Sequence, residues 1–283
     1  MKKIAVIGAG TMGNGIAHVF AQNGFDVNLI DTQSAALDRA LQTIAKNLDR
    51  QVAKSIIQAA DKETILAKII CFTNLKEGVH DRDLVIEAAT ENSKIKNAIF
   101  AEMDQYTSPT CILASNTSSI SITQLAEATQ KPANVIGMHF MNPVPVMKLV
   151  EIINGKATSS EVTDSIVALT TTIGKIPCVV KDAPGFIANR ILMPMINEAI
   201  LAFEEGISDA ATIDQIMKLG MAHPMGPLQL ADYIGLDVCK NILEIMEAGF
   251  QNSKYKPAAL LTKMVEEGKL GIKTGEGFYS YQK

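Results

Sequence analysis

Four histidines occur in the chain, and histidine is the side chain best suited to move a proton near neutral pH. They are His18, His80, His139 and His223. His139 stands apart because it ends an apolar, β-type run and opens the segment His139-Phe140-Met141-Asn142-Pro143. In doubly wound sheets, ligands bind beyond the carboxyl ends of the strands. His139 is therefore our candidate general base, although a histidine at a strand end is also often structural.

A carboxylate in the following β-type run supports this interpretation. Glu151 lies within residues 147–153, where an ionised side chain is otherwise out of place among apolar neighbours. A hairpin-like return through Asn142-Pro143-Val144-Pro145 would bring Glu151 beside His139. Such a pair orients the imidazole ring and stabilises its protonated form, as the carboxylate of a catalytic triad does.

Two further candidates carry neutral groups that can hold an alcohol or carbonyl oxygen without competing for the proton. Ser118 belongs to the hydroxyl-rich segment Ser115-Asn116-Thr117-Ser118-Ser119, which also follows a β-type run. Asn189 belongs to the segment Pro184-Gly185-Phe186-Ile187-Ala188-Asn189-Arg190. Helix capping is the alternative role for members of the hydroxyl-rich segment.

A glycine-rich turn near the N-terminus indicates a dinucleotide site. The segment Gly8-Ala9-Gly10-Thr11-Met12-Gly13 is a G-x-G-x-x-G placed between a predicted strand and a predicted helix. Gly8 permits the tight turn, Gly10 lets a pyrophosphate approach the backbone, and Gly13 lets helix and strand pack closely. The helix N-terminus offers N–H groups to the anion. Thr11 and Met12 share this turn and are included among the cofactor-binding candidates.

The acidic residue that ends the next strand distinguishes between cofactors. Asp31 follows Gly13 at about the spacing of a carboxylate that binds the adenosine ribose. A carboxylate accepts hydrogen bonds from a ribose 2′-hydroxyl and repels a 2′-phosphate, which favours NAD over NADP. Arg39 falls inside a predicted helix and is a less convincing phosphate clamp. The alternatives are FAD, which uses a similar fingerprint, and a structural turn in which Asp31 caps the following helix.

Composition and charge narrow the class of protein. The 283 residues suffice for about two domains, and 47% hydrophobic with 20% charged residues is typical of folded globular chains. A net charge of −4 disfavours nucleic acid as a partner. The four cysteines stand far apart, which argues against a zinc site and against disulfides, so we predict no metal and a cytoplasmic location. The sequence shows no apolar run of membrane-spanning length and no signal peptide, so we expect no membrane partner.

Short β-type runs alternate with helical segments over residues 1–183, which predicts an α/β fold with a Rossmann-type, doubly wound and mostly parallel sheet. The predicted strands cover residues 3–7, 27–31, 69–72, 84–87, 111–114, 135–139, 147–153 and 177–180. The predicted helices cover residues 11–23, 34–58, 62–67, 92–106, 121–129 and 159–173. Methionine-rich helical patterns follow, which predicts an all-α C-terminal domain over residues 184–283.

Taken together, these segments resemble the 3-hydroxyacyl-CoA dehydrogenase family, and within it the bacterial 3-hydroxybutyryl-CoA dehydrogenases. The resemblance covers essentially the whole chain. It is carried by IGAGTMG at 7–13, DLVIEA at 83–88, ASNTSS at 114–119, GMHFMNPVPVMKLVEI at 137–152, APGFIANR at 183–190, HPMGPLQL at 223–230 and KTGEGFY at 273–279.

The resemblance implies NAD-dependent oxidation of (S)-3-hydroxybutyryl-CoA to acetoacetyl-CoA, and the reverse reduction. His139 matches the family's general base and Glu151 matches its partner carboxylate. Ser118 and Asn189 match residues that bind the reacting oxygen of the substrate and help to hold cofactor and substrate together. The family also implies that the helical C-terminal domain forms a homodimer and closes over the substrate.

The resemblance implies further ligand contacts. Glu91, Lys96 and Asn142 match positions that line the cofactor and the thioester. Lys273 matches a lysine near the nicotinamide cofactor, and Lys54 matches a lysine that contacts coenzyme A. The chain departs from the family pattern at Met141, where a phenylalanine is usual, and at Asn47, where some relatives have a serine against coenzyme A.

A basic stripe supports a coenzyme A substrate independently of the resemblance. Lys46, Arg50 and Lys54 recur every four residues on one face of a predicted helix and suit the phosphates of a coenzyme A tail. A solvated helix face, interrupted by Asp49, is the alternative. Two other functions stay open: a dehydrogenase of a free hydroxy acid, for which Arg190 would have to bind the carboxylate, and a non-catalytic NAD-binding protein.

Overall fold

The structure, a computed structural model, describes residues 1–281, and its first part alternates strands with helices. The strands are β1 (Lys3–Ile7), β2 (Asp26–Ile30), β3 (Ile69–Phe72), β4 (Leu84–Glu87), β5 (Ile112–Ser115), β6 (Val135–Phe140), β7 (Leu149–Asn154) and β8 (Ile176–Lys181). They form one sheet in the order β3-β2-β1-β4-β5-β6-β7-β8, and every neighbouring pair is parallel except β6 and β7. The strand order reverses beside β1, as in doubly wound folds, so the predicted fold class is confirmed.

Seven helices accompany this sheet in the described part of the first unit. They are α1 (Thr11–Gln22), α2 (Ser34–Ala53), α3 (Asp61–Ala67), α4 (Leu75–Val79), α5 (Ser93–Tyr106), α6 (Ile122–Ala126) and α7 (Ser160–Thr172). Residues Leu84, Leu113 and Ile136 of the central strands are fully buried, as expected for unbroken apolar runs between helical layers. These buried central strands fix the positions of the carboxyl ends of β4, β5 and β6, where the candidate catalytic and binding residues lie.

The chain divides into two compact units between Asp182 and Ala183, one residue before the predicted boundary. The second unit contains α8 (Ala188–Glu204), α9 (Ala210–Gly220), α10 (Pro227–Ile234), α11 (Leu236–Phe250) and α12 (Ala259–Glu266). The helices pack around a separate apolar core that includes Met193, Leu243 and Met246. Its all-α character is confirmed for residues 183–281, where two isolated β-bridges are the extent of the β pairing.

Two elements depart from the prediction. The helix predicted over 34–58 ends at Ala53, because Ser55 adopts a left-handed backbone conformation (φ 56°) that stops the helical hydrogen bonding. The five-residue helix α4 is absent from the predicted helices. β8 is the last strand of the sheet, and its side chains Ile176 and Val179 are exposed.

Candidate active site

The histidine and the carboxylate selected from the sequence are paired across the single antiparallel contact of the sheet. The register of β6 and β7 places His139 opposite Glu151. The Nδ1 atom of His139 lies 2.8 Å from Oε2 of Glu151. His139 is 7% exposed and Glu151 is 3% exposed, so both polar groups are removed from bulk water. A hydrogen bond of this length between buried groups fixes the orientation of the imidazole ring.

A buried lysine holds the connection between these two strands. The Nζ of Lys175 donates to the carbonyl oxygens of Val144, at 2.5 Å, and Met147, at 2.6 Å. Burial lowers the pKa of Lys175. The connection also carries Asn142, which is exposed. The two carbonyl contacts therefore stabilise the return of the chain from His139 to Glu151.

The predicted substrate-binding serine lies on a turn that is held by one carboxylate. Glu91 Oε1 accepts hydrogen bonds from the Thr117 hydroxyl at 2.5 Å, from Ser118 N at 3.0 Å and from the Ser119 hydroxyl at 2.9 Å. Burial by itself raises the pKa of Glu91. The nearby charge of Lys96 and these hydrogen bonds outweigh that effect and hold the pKa below its ordinary value of 4.5.

A buried ion pair that the sequence did not reveal lies beneath this turn. Lys96 is 1% exposed, and its Nζ lies 2.6 Å from Oε1 of Glu87, which is fully buried at the end of β4. The Ser115 hydroxyl donates to the other carboxylate oxygen of Glu87 at 2.6 Å. The Nζ of Lys96 is therefore directed at protein groups, and its predicted contact with the cofactor stays a prediction. The signal for this pair in the sequence is an acidic residue closing a buried apolar strand.

A further hydrogen bond joins the serine turn to the histidine strand. The Asn116 side-chain oxygen accepts from Phe140 N at 2.8 Å, directly after His139. Backbone pairing of β5 with β6 extends from Leu113 to Ser115. The structure thus brings the segment that carries Ser118 and the strand that carries His139 to the same edge of the sheet.

The glycine-rich turn shows which glycines the protein's own packing requires. Gly8 has a φ of 98°, and a Cβ on Gly13 would overlap the carbonyl oxygen of Gly8. A Cβ on Gly10 would instead meet nothing within 4 Å in the described structure, so the chain alone does not explain its missing side chain. Thr11, exposed, begins α1, and no side chain among residues 1–281 caps the helix N-terminus. This cradle fits a dinucleotide pyrophosphate.

The predicted ribose-binding carboxylate lies beside that cradle. Asp31 accepts hydrogen bonds from Ala9 N at 2.9 Å and from Gln33 N at 3.0 Å, so it holds the backbone of the glycine-rich turn and of the residue before α2. It does not cap α2 itself, whose N-cap residue is Gln33 and which has no side-chain cap among the described residues. A cavity of about 420 Å³ is lined by Asp31, Gly10 and Arg39. Arg39 lies in a helix as predicted, but it reaches the same cavity as Asp31. Met12, on the other side of the turn, packs partly against the apolar core.

A larger cavity of about 770 Å³ lies near the C-terminal end of α2. Two of the three residues of the basic stripe line it, together with Asn47 and two further lysines. The cationic lining residues are Arg50, Lys54, Lys148 and Lys175. Lys46 is exposed elsewhere on the helix, and none of the residues that line the cavity is acidic. The positive lining suits a polyanion.

The remaining predicted residues lie in the second unit. Asn189 is buried in the first turn of α8. The guanidinium of Arg190 lies over the ring of Phe250, 4.2 Å from its centre. Lys273 forms an ion pair with Asp237.

Residues 1–281 contain no cluster of three or more His, Cys, Asp or Glu side chains that could hold a metal ion. No helix within these residues is both long and apolar enough to cross a membrane.

Comparison with known proteins assigns the chain to a family. Residues 3–183 match the NAD-binding domain of 3-hydroxyacyl-CoA dehydrogenase, and residues 185–281 match its C-terminal domain. The chain therefore belongs to the 3-hydroxyacyl-CoA dehydrogenase family.

Individual relatives match along the whole chain. The 3-hydroxybutyryl-CoA dehydrogenase of Bradyrhizobium diazoefficiens is 50% identical over 282 residues, which cover 100% of this chain and 96% of that protein. The mitochondrial hydroxyacyl-coenzyme A dehydrogenase of Homo sapiens is 44% identical, with 100% and 92% covered. The crystal structure of the (S)-3-hydroxybutyryl-CoA dehydrogenase of Ralstonia eutropha superposes with a TM-score of 0.97 at 47% identity, and each chain is covered completely.

Proposed function

We propose that this protein interconverts (S)-3-hydroxybutyryl-CoA and acetoacetyl-CoA with NAD, and that His139 and Glu151 form its proton-transfer pair. The observation that carries the assignment is the buried hydrogen bond of 2.8 Å between these side chains in a chain of this family. The cradle at Gly10 and the carboxylate of Asp31 would hold the cofactor. When bound, NAD would supply the acceptor for the hydride that leaves C3 of the substrate during oxidation, and NADH would supply that hydride in the reduction.

The proposal gives each ring nitrogen of the histidine a separate role. An ionised carboxylate is an acceptor only, so in this mechanism Nδ1 of His139 is the protonated nitrogen and donates the hydrogen bond of 2.8 Å to Glu151. In this tautomer, Nε2 has the lone pair that accepts the proton of the 3-hydroxyl group during oxidation. The carboxylate then stabilises the imidazolium, and in the reduction direction the same nitrogen returns the proton.

Ser118 is proposed to donate a hydrogen bond to the reacting oxygen of the substrate, with Asn189 as the second residue that binds this oxygen. The support for Ser118 is its place on a turn whose backbone is fixed by Glu91. A hydroxyl group on a fixed turn stabilises developing charge without reorganisation at the moment of reaction. Asn142 and Lys273 are proposed to contact the cofactor, as the family pattern implies.

The basic cavity is proposed to receive the phosphates of coenzyme A. Lys54, which matches the family's coenzyme A-contacting lysine, lines it together with Asn47, which stands where some relatives have a serine, and Arg50 and Lys148 add positive charge. Phosphate oxygens accept charge-assisted hydrogen bonds from such side chains. A free hydroxy acid has no group that requires this cavity.

Homodimerisation through the second unit and a cytoplasmic location are also proposed. The second unit exposes large apolar side chains, including Ile191, Ile207, Leu219 and Met221, each at least 60% exposed. Contiguous exposed apolar surface commonly marks an interface between subunits. Equilibrium sedimentation of the full chain tests this state, and a monomer at micromolar concentration would contradict it.

A comparison of substrates separates the proposal from the two alternatives. We expect NAD reduction with (S)-3-hydroxybutyryl-CoA, much slower reduction with free 3-hydroxybutyrate, and oxidation of NADH by acetoacetyl-CoA. The guanidinium of Arg190 lies over Phe250, which favours the thioester over a free acid bound by this arginine. Faster turnover of the free acid would favour the hydroxy acid dehydrogenase. NAD binding without turnover of either substrate would favour the non-catalytic protein.

A further inference from the structure

The side chain of Glu87 combines complete burial with three hydrogen bonds, and none of the roles proposed above uses it. Its Oε1 accepts from the Nζ of Lys96 at 2.6 Å and from Ala89 N at 2.6 Å. Its Oε2 accepts from the Ser115 hydroxyl at 2.6 Å. A charge that is removed from water persists only where such partners compensate for the lost hydration. The arrangement therefore depends on the ionised carboxylate.

Two chains of contacts lead from this carboxylate to the turn of Ser118. The first passes through Ser115, whose hydroxyl oxygen accepts from Thr117 N at 3.2 Å. The second passes through Lys96, whose Nζ lies 3.4 Å from Oε2 of Glu91. Glu91 in turn accepts from Ser118 N at 3.0 Å. Both chains of contacts end on adjacent residues of one turn. A change at Glu87 would therefore disturb two separate sets of contacts that hold this turn.

The charge of Lys96 explains why the hydrogen bonds that hold the Ser118 turn would depend on Glu87. If Glu87 were neutral, the nearest carboxylate to Lys96 would be that of Glu91. The lysine would then be attracted toward Glu91 alone and would compete with the Ser118 backbone for its oxygens. A shift of about 1 Å in a reacting group can lower a rate by about 100-fold.

We propose that Glu87 is a positioning residue, which holds the Ser118 hydroxyl in place through Ser115, Lys96 and Glu91. The inference rests on the proposed function, in which Ser118 binds the reacting oxygen. Glu87 is fully buried, and under this proposal its effect on turnover passes through Ser118. This dependence separates positioning from a general contribution to stability.

The test is a double-mutant cycle on the full-length protein, with acetoacetyl-CoA and NADH as substrates. Glu87→Gln keeps the shape of the side chain and removes its charge. We expect it to lower kcat by about 10- to 100-fold in the wild-type background and by less than about threefold when Ser118→Ala is also present. Asp104→Asn is the matched control, because Asp104 lies on the same helix as Lys96 and accepts from Gln130 N. It should lower the melting temperature and leave kcat unchanged.

Three results would overturn the inference. An unchanged kcat in Glu87→Gln would do so, and so would an equal loss in both backgrounds. If Ser118→Ala alone retains the wild-type kcat, the role of Ser118 in the proposed function fails as well. Should Glu87→Gln not fold, Ser115→Ala replaces it, since it removes the link from Glu87 to Thr117 N. It is expected to lower kcat by about tenfold with the same dependence on Ser118.

Discussion

Replacement of Glu151 by glutamine tests the proton-transfer pair with almost no change in shape. The wild-type contact joins Nδ1 of His139 to a carboxylate oxygen at 2.8 Å, with both residues buried. Glutamine can still accept this hydrogen bond through its amide oxygen, but it carries no charge to stabilise an imidazolium. Hydrogen bonds to charged groups contribute about 1.5–3 kcal/mol. At about 1.4 kcal/mol per factor of ten, this loss predicts a fall in kcat of about 10- to 150-fold.

The assay is the initial rate of NADH oxidation with saturating acetoacetyl-CoA, measured for wild type and Glu151→Gln under the same conditions. The KM for NADH should stay within about twofold, because the mutated carboxylate lies against the histidine and not in the glycine-rich turn. Circular dichroism and the melting temperature establish that the variant is folded. A kcat within about twofold of wild type, in a folded variant, would refute the reasoning.

Three further predictions concern the cofactor, the substrate and stability. Asp31→Ser should lower the preference for NADH over NADPH by about tenfold, since it removes the carboxylate that repels a 2′-phosphate, and steady-state kinetics with both cofactors measures this. Lys54→Met should raise the KM for acetoacetyl-CoA by about two- to fivefold at low salt and by less at high salt, whereas an effect independent of salt would contradict an ionic contact. The lowered pKa of Glu91 means that its ionised form stabilises the fold above pH 4.5 and that this contribution is lost as the pH falls through the folded-state pKa. The melting temperature of Glu91→Gln should therefore lie below that of wild type at neutral pH, and the difference should shrink in acid.

The order of the strands and of the longer helices in the first unit was predictable, because the buried strands are mainly apolar runs separated by helical patterns, whereas the short helix α4 was not predicted. The pairing of His139 with Glu151 was also within reach, since only a short connection joins their β-type runs and an antiparallel return places them opposite one another. The end of α2 could not be predicted from the sequence, because apolar residues such as Ile56 continue the helical pattern beyond Ser55, whose backbone is left-handed.

The ion pair of Glu87 and Lys96 was out of reach for a different reason. The two residues belong to a strand and to a helix, and their contact depends on how α5 packs against the end of β4. Sequence periodicity describes the face of an element and carries no information about such a contact. The ligand-binding role of Lys96 rests on the family resemblance and stays a prediction, and the sequence alone places Glu87 only at the end of a predicted strand.

The central claim is that His139 transfers the proton. The most direct test compares the His139→Gln variant with wild type in its kcat and in its affinity for NADH. We predict that kcat for acetoacetyl-CoA falls by about 10²- to 10⁴-fold, the usual contribution of a general acid or base. We also predict that the dissociation constant for NADH, from fluorescence titration, changes by less than about threefold. A folded His139→Gln variant with near-normal kcat would contradict the account.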